Sequence, residues 1–154
     1  MIETKYSIVI NASREKVWSV LWNDQTFRDW ANLIDEGTFM KGELKEGCEV
    51  EYISSINGYG VTSFVEKLIL GEYIKLKHLA DTKENGTENR EEEWTGGTES
   101  YQLTEGTSST GDILTELSIV MDIPENLVDY FNEVYPKVMH RIKELSENRL
   151  MISV

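Results

Sequence analysis

Among the 154 residues, the side chains best suited to proton transfer or nucleophilic attack are two histidines, His78 and His140, and one cysteine, Cys48. A histidine on a buried strand face could orient a polar ligand group or shuttle a proton, given a carboxylate partner. His78 alternates with Ile74 and Leu76, so it belongs to the apolar side of its segment, and Glu66 is the carboxylate on the adjoining segment that could serve it. The alternative reading is a core histidine satisfied by a backbone carbonyl or a tyrosine. His140, beside Arg141 on the polar edge of a helix, is given no role. Cys48 has no local base to hold it as a thiolate and reads as a small buried hydrophobe. Two histidines and one cysteine without HxxxH or CxxC spacing do not make a transition-metal site, and the many carboxylates lack calcium-loop spacing. Neither GxGxxG nor a P-loop pattern occurs, so no metal and no cofactor are expected.

The elements that must carry these side chains follow from periodicity. Tyr6, Ile8 and Ile10 alternate with Lys5, Ser7 and Asn11, which predicts a half-buried strand. Ser13 then suits a helix N-cap, with Glu15 in the first turn, and Val17, Trp18, Val20, Leu21 and Trp22 follow at helical spacing. Asn23-Asp24 ends that helix and starts another, with Phe27, Trp30, Ala31, Leu33 and Ile34 along one side. Turn residues then punctuate short alternating runs: Gly42, Gly47, Asn57-Gly58, Gly71, Asn85-Gly86, Gly96-Gly97, Gly106 and Gly111. Hairpin spacing without intervening helices predicts an antiparallel meander. On its last strand Ile113, Leu117, Ile119 and Met121 share a face that Thr115 interrupts. After Pro124, Leu127, Phe131, Val134, Tyr135, Val138, Met139, Ile142 and Leu145 form the stripe of a long helix, which Pro136 should kink or split into a lead-in and a main segment. One domain, 1–154, of α+β class is expected, with the helix stripe and the apolar sheet face burying each other. A curved sheet around one helix cannot be filled everywhere by side chains, so a cavity is expected between them.

Net charge is −13, which disfavours nucleic acid and anionic lipid surfaces as partners. From Asp81 to Glu116, ten acidic residues face two basic ones, Lys83 and Arg90. That segment reads as a solvated face or as a docking surface for a basic protein partner. No run approaches the ~20 apolar residues of a membrane span, so no stable membrane insertion is expected. The start MIETKYSIVI has no leader-like basic region, and the expected compartment is the cytoplasm.

Three stretches carry a resemblance to a known family. SIVINASREKVWSVLWNDQTFRDW, Ser7 to Trp30, resembles an opening strand, a Val-Trp helix start and a second helix ending in Trp; VYPKVMHRIKELSE, Val134 to Glu147, is similar to a closing aromatic-Pro pair and amphipathic helix. Between them, LKEGCEVEY and SFVEKLILGEYIKLKH fit paired central strands. In this order they resemble the START-like (SRPBCC) superfamily, and within it the homologues of the activator of heat-shock-protein ATPase. Trp22 stands where that pattern has a smaller polar residue, Gly71 replaces a proline-containing turn, and REEEWTGG, Arg90 to Gly97, matches no motif of it.

The resemblance implies a helix-grip fold: a curved antiparallel sheet, two short helices after strand 1 and a long C-terminal helix across the concave face. It also implies binding of a small hydrophobic or lipid-like molecule in the cavity, with no cofactor. Two alternatives come with it, a polyketide cyclase or aromatase using His78 as acid or base, and a chaperone-regulating interaction module. The cavity-lining candidates are Trp22, Trp30, Tyr52, His78, Tyr101, Phe131 and Tyr135. Their tyrosine hydroxyls and single imidazole are the sparse polar groups that orient a ligand in an apolar site. No catalytic residue is assigned.

Overall fold

The computed structural model describes residues 1–83 and 93–148. The Asn85-Gly86 turn, the start of REEEWTGG and part of the acidic segment 81–116 lie outside the described residues. The elements run β1 (Ile2–Ile10), α1 (Arg14–Trp22), α2 (Asp24–Ala31), β2 (Thr38–Lys41), β3 (Glu49–Ser54), β4 (Tyr59–Ile69), β5 (Tyr73–Lys83), β6 (Thr98–Thr107), β7 (Ile113–Ile123), then a 3-10 turn, Glu125–Leu127, and α3 (Val128–Glu147). Every strand pairing is antiparallel, in the order β1-β7-β6-β5-β4-β3-β2. The chain therefore starts on one edge, crosses to the other through α1 and α2, and meanders back until β7 pairs with β1. Gly71 takes φ +79 in the turn between β4 and β5, a conformation glycine adopts without Cβ strain.

The two-residue period sorts the sheet faces. On β5, Ile74, Leu76 and His78 are buried; on β6, Tyr101 and Leu103; on β7, Thr115, Leu117, Ile119, Met121 and Ile123. Thr115 does not interrupt its face as its polarity suggests, because its hydroxyl donates to the Ala12 carbonyl at 2.7 Å and is satisfied inside the core. Ile113, by contrast, is half exposed.

Two register shifts on the β4–β5 ladder bend the sheet. Thr62 faces Ala80 while Ser63 faces His78, which leaves Leu79 as an extra residue on β5. Val65 faces Leu76 while Lys67 faces Lys75, which leaves Glu66 extra on β4. The inward set on β4 therefore changes parity at Glu66, and this carboxylate points out, 3.6 Å from the Lys75 ammonium. It is not the partner of His78.

The helical corner depends on caps, since α1 has nine residues and α2 eight, below the length that persists alone. Ser13 accepts from the Lys16 N–H at 3.2 Å and Asn23 from the Gln25 N–H at 3.1 Å. Glu105 reaches over from β6 to accept the Arg14 N–H at 2.9 Å. At the far end of α1 the Trp30 indole N–H points at the carbonyls of Val20 and Leu21, each at 3.3 Å.

α3 is one element from Val128 to Glu147 with Pro136 inside it, so the expected split is not found. It packs chiefly against β1, α1 and α2. Its later half, Val138, Met139, Ile142 and Leu145, is buried in the core. None of the helices among the described residues is long and apolar enough to cross a membrane.

Arg141 fastens α3 to α2 through a bidentate pair with Asp29, at 2.7 and 2.9 Å. Hydrogen bonds from Arg141 hold the Asp29 carboxyl below its ordinary range, against an opposing effect of burial. Such a group stabilises the fold above the unfolded carboxyl pKa of ~4 and loses that contribution as pH falls through its lower folded value. The pair is about a third exposed, so Asp29→Asn is expected to cost roughly 0.5–1 kcal/mol at pH 7. In urea titrations the gap from wild type should narrow at acid pH as the Asp29 carboxyl takes up its proton; a gap that stays constant through the whole acid limb would refute an electrostatic role for the pair.

Candidate functional site

The first half of α3, with α2, bridges the concave face of the sheet and forms with it a cavity of about 400 Å³ that is open on one side. That lies within the ~300–1,000 Å³ range of small-molecule sites. Each wall follows from an element already described. α2 contributes Phe27, Trp30 and Ala31; the sheet contributes Tyr52, Val61, His78, Glu99, Tyr101 and Met121; α3 contributes Tyr130, Phe131 and Tyr135. Ile34, Asp35, Thr38, Tyr59, Glu93, Trp94 and Leu127 complete the lining. Gly60 allows β3 and β4 to approach closely beneath it: a Cβ there would meet the Tyr52 carbonyl oxygen at 1.8 Å.

Six of the seven expected side chains, Trp30, Tyr52, His78, Tyr101, Phe131 and Tyr135, meet on this wall. Trp22 does not. Its ring packs edge-on against Tyr101 at 4.9 Å and lies 6.2 Å from Trp18 and 6.4 Å from Phe27, which puts it behind the wall. It braces Tyr101, and its indole nitrogen is buried without a hydrogen-bond partner among the described residues. Sequence reasoning grouped Trp22 with Trp30 as cavity lining at the corner of the two helices, but the direction of α1 lays its ring onto Tyr101 of β6.

The polar groups form a connected cluster. His78, 4% exposed, shares a 2.8 Å hydrogen bond between its Nδ1 and the Ser63 hydroxyl. Its Nε2 lies 3.6 Å from the Glu99 carboxylate, whose side chain is 13% exposed. A ring nitrogen facing a carboxylate is better protonated than left as an opposing lone pair, so Ser63 donates to Nδ1 and the Nε2–H faces Glu99. The Tyr101 hydroxyl donates to the other oxygen of Glu99. Burial, with the Glu99 charge second, pushes the hydroxyls of Tyr52, Tyr101 and Tyr135 well above the usual tyrosine range. All three therefore remain neutral and able to donate at physiological pH. The Tyr52 hydroxyl is buried with no hydrogen-bond partner among the described residues.

Aromatic faces close the rest. Tyr135 stacks between Tyr6 at 4.7 Å and Phe131 at 5.6 Å, and Trp94 meets Phe131 at 5.3 Å and His78 at 6.0 Å. Tyr130 reaches from α3 to the Ile34 carbonyl at 2.5 Å and ties the helix to the end of α2.

Glu99 and Trp94 were missed by sequence reasoning. Glu99 carried a signal, since it shares alternation parity with Tyr101 and Leu103 and so had to face inward with them. Trp94 is an aromatic in a polar run matching no motif. Asp81 holds it in place by accepting the N–H groups of Trp94 and Thr95 at 2.9 and 3.1 Å. That use of Asp81, with Glu105 at the α1 terminus, accounts for two carboxylates of the acidic segment by local structure. Among the described residues no group of three or more His, Cys, Asp or Glu side chains could hold a metal ion.

No family model matches the chain, and no curated protein sequence does. Solved structures do match. The Aha1 dimer from Colwellia psychrerythraea is similar over 96% of this chain and 97% of that one, at 21% identity and a TM-score of 0.67. Protein Ms6760 from Mycobacterium smegmatis is similar over 93% and 89%, at 13% identity and a TM-score of 0.69. DynU16, from the dynemicin biosynthetic locus, matches over 95% of this chain and 47% of its own length, at 11% identity and a TM-score of 0.65.

The chain has a helix-grip fold, shared with these structures. The polar cluster lies at the floor of its cavity. The orphan Tyr52 hydroxyl carries a desolvation penalty of about 1–3 kcal/mol in the empty protein. Tyr52→Phe is therefore expected to raise stability by roughly 1 kcal/mol without ligand. A loss of stability in thermal melting would show that the hydroxyl has a partner.

Proposed function

We propose that the protein is a binding protein for a small, mainly apolar molecule held between α3 and the sheet. The observation that carries this reading is the 400 Å³ cavity itself, lined by aromatic rings and floored by a buried hydroxyl that lacks a partner. Apolar area of this kind stabilises a bound molecule by ~25 cal/mol per Å² removed from water. The few polar groups then select its orientation. Lipids, flavonoids and sterols are the ligand classes to compare.

A second reading is favoured by one contact, His78 between Ser63 and Glu99. A ring fixed at Nδ1, with its Nε2–H directed at a carboxylate inside an aromatic cavity, could give or relay a proton to a bound carbonyl compound. That is the chemistry of a cyclase or aromatase acting on a polyketide. Binding without turnover is the first reading because Ser63, the hydroxyl bonded to His78, is buried behind the imidazole and is not part of the cavity wall.

The tests separate the two. In fluorescence titrations with flavonoids, sterols and fatty acids, a cavity ligand should change emission saturably, and Trp94→Phe should mute the change while Trp18→Phe preserves it. No saturable change with any of them, together with no small molecule retained in native mass spectrometry of protein from its own host, would overturn the binding reading. For the enzyme reading, His78→Ala should abolish turnover of a polyketide substrate and leave its affinity within about threefold; undiminished turnover would remove His78 from the mechanism.

A further inference from the structure

The charged groups on the cavity wall share one sign. Asp35, Glu93 and Glu99 line it, and among the described residues no lysine or arginine does. The approach to the wall lies in the field of a chain of net charge −13, which concentrates cations and repels anions. At the floor, the mostly buried Glu99 carboxylate has room for about four hydrogen bonds. Among the described residues Tyr101 donates to one oxygen, while the other stands 3.6 Å from His78 Nε2, beyond an ordinary hydrogen bond. The Tyr52 hydroxyl beneath has no hydrogen-bond partner among the described residues.

We propose that the cavity selects a cation: an apolar molecule bearing an amine, whose ammonium group seats on the Glu99 carboxylate, with aromatic rings around it. This rests on the binding reading above and names the ligand class for the same site. An ammonium brings a positive charge and three donors to that carboxylate, whereas a ligand alcohol brings one donor and no charge. The rings of Trp94, Phe131 and Tyr101 offer the negative π faces that a desolvated cation prefers. Folding has already removed Glu99 from water, so a cationic ligand compensates a buried charge instead of adding an unpaired one. A fatty acid or phosphate headgroup would bring a second negative charge to the same floor.

The experiment is isothermal titration calorimetry at pH 7 with three ligands of matched body: 1-naphthylmethylamine, 1-naphthylmethanol and 1-naphthoate. The amine is expected to bind roughly tenfold or more tighter than the alcohol, as for a hydrogen bond to a charged group, and the carboxylate most weakly. Raising salt should weaken the amine and leave the alcohol unchanged. In Glu99→Gln, checked for folding by thermal melting, the amine should fall to within about twofold of the alcohol, whose own affinity persists. Equal affinities in the wild type, or a carboxylate that binds best, overturn the cation proposal and leave the binding reading standing. Failure of all three to bind overturns the cation proposal, while the binding reading stands or falls on the fluorescence and native mass spectrometry tests above. Because the wild-type rank order alone decides between these outcomes, a variant that does not fold leaves the test intact.

Discussion

One helix cannot touch the whole concave face of a curved seven-stranded sheet, and most of this structure follows from where α3 makes contact. Its later turns are buried against β1, α1 and α2, and Arg141 secures it to Asp29 there. The first half then bridges the sheet on Phe131 and Tyr135, with Tyr130 tied to the end of α2. Close packing at one end and a span at the other leave an open-sided cavity under the span. The bulges on the β4–β5 ladder deepen the same space by bending the strands beneath it.

The short helices are held by groups remote in sequence. Neither α1 nor α2 would persist alone, yet Glu105 caps the start of α1 from β6 and Trp30 covers its end from α2. The corner is therefore a product of the sheet, and it supplies Phe27 and Trp30 to the cavity in return. The apolar side chains of α1 serve two purposes. Val17, Val20 and Leu21 seal the core, and Trp22 supports Tyr101 from behind.

Polar groups inside this protein divide by whether the fold satisfies them. Thr115, Ser63, Asp81 and Asp122 are acceptors or donors with partners at hydrogen-bond distance, and their role is to order backbone and neighbours. Glu99 is different, because it lines the cavity with one donor at hydrogen-bond distance among the described residues. Buried polar groups left short of partners are costly, so a cavity carboxylate with acceptor capacity to spare is a place where a ligand can supply what the fold does not.

By itself the sequence determined the element order, the antiparallel meander, the helix caps at Ser13 and Asn23, and the inward parity of Ile74, Leu76 and His78. These are local properties: a two-residue or 3.6-residue period, a capping side chain and a turn glycine are each written within a few residues. Three things were decided only in the tertiary structure. The parity change at Glu66 came from a bulge, which depends on two strands meeting and is invisible along one of them. Trp22 moved behind the wall because the direction of α1 into the sheet is set by contacts with β6. The partner of His78 proved to be Glu99, 21 residues away and brought beside it by the pairing of β5 with β6. Periodicity tells which side of a strand a residue occupies; which neighbour it meets there depends on register, and register is settled by the whole sheet closing on its core.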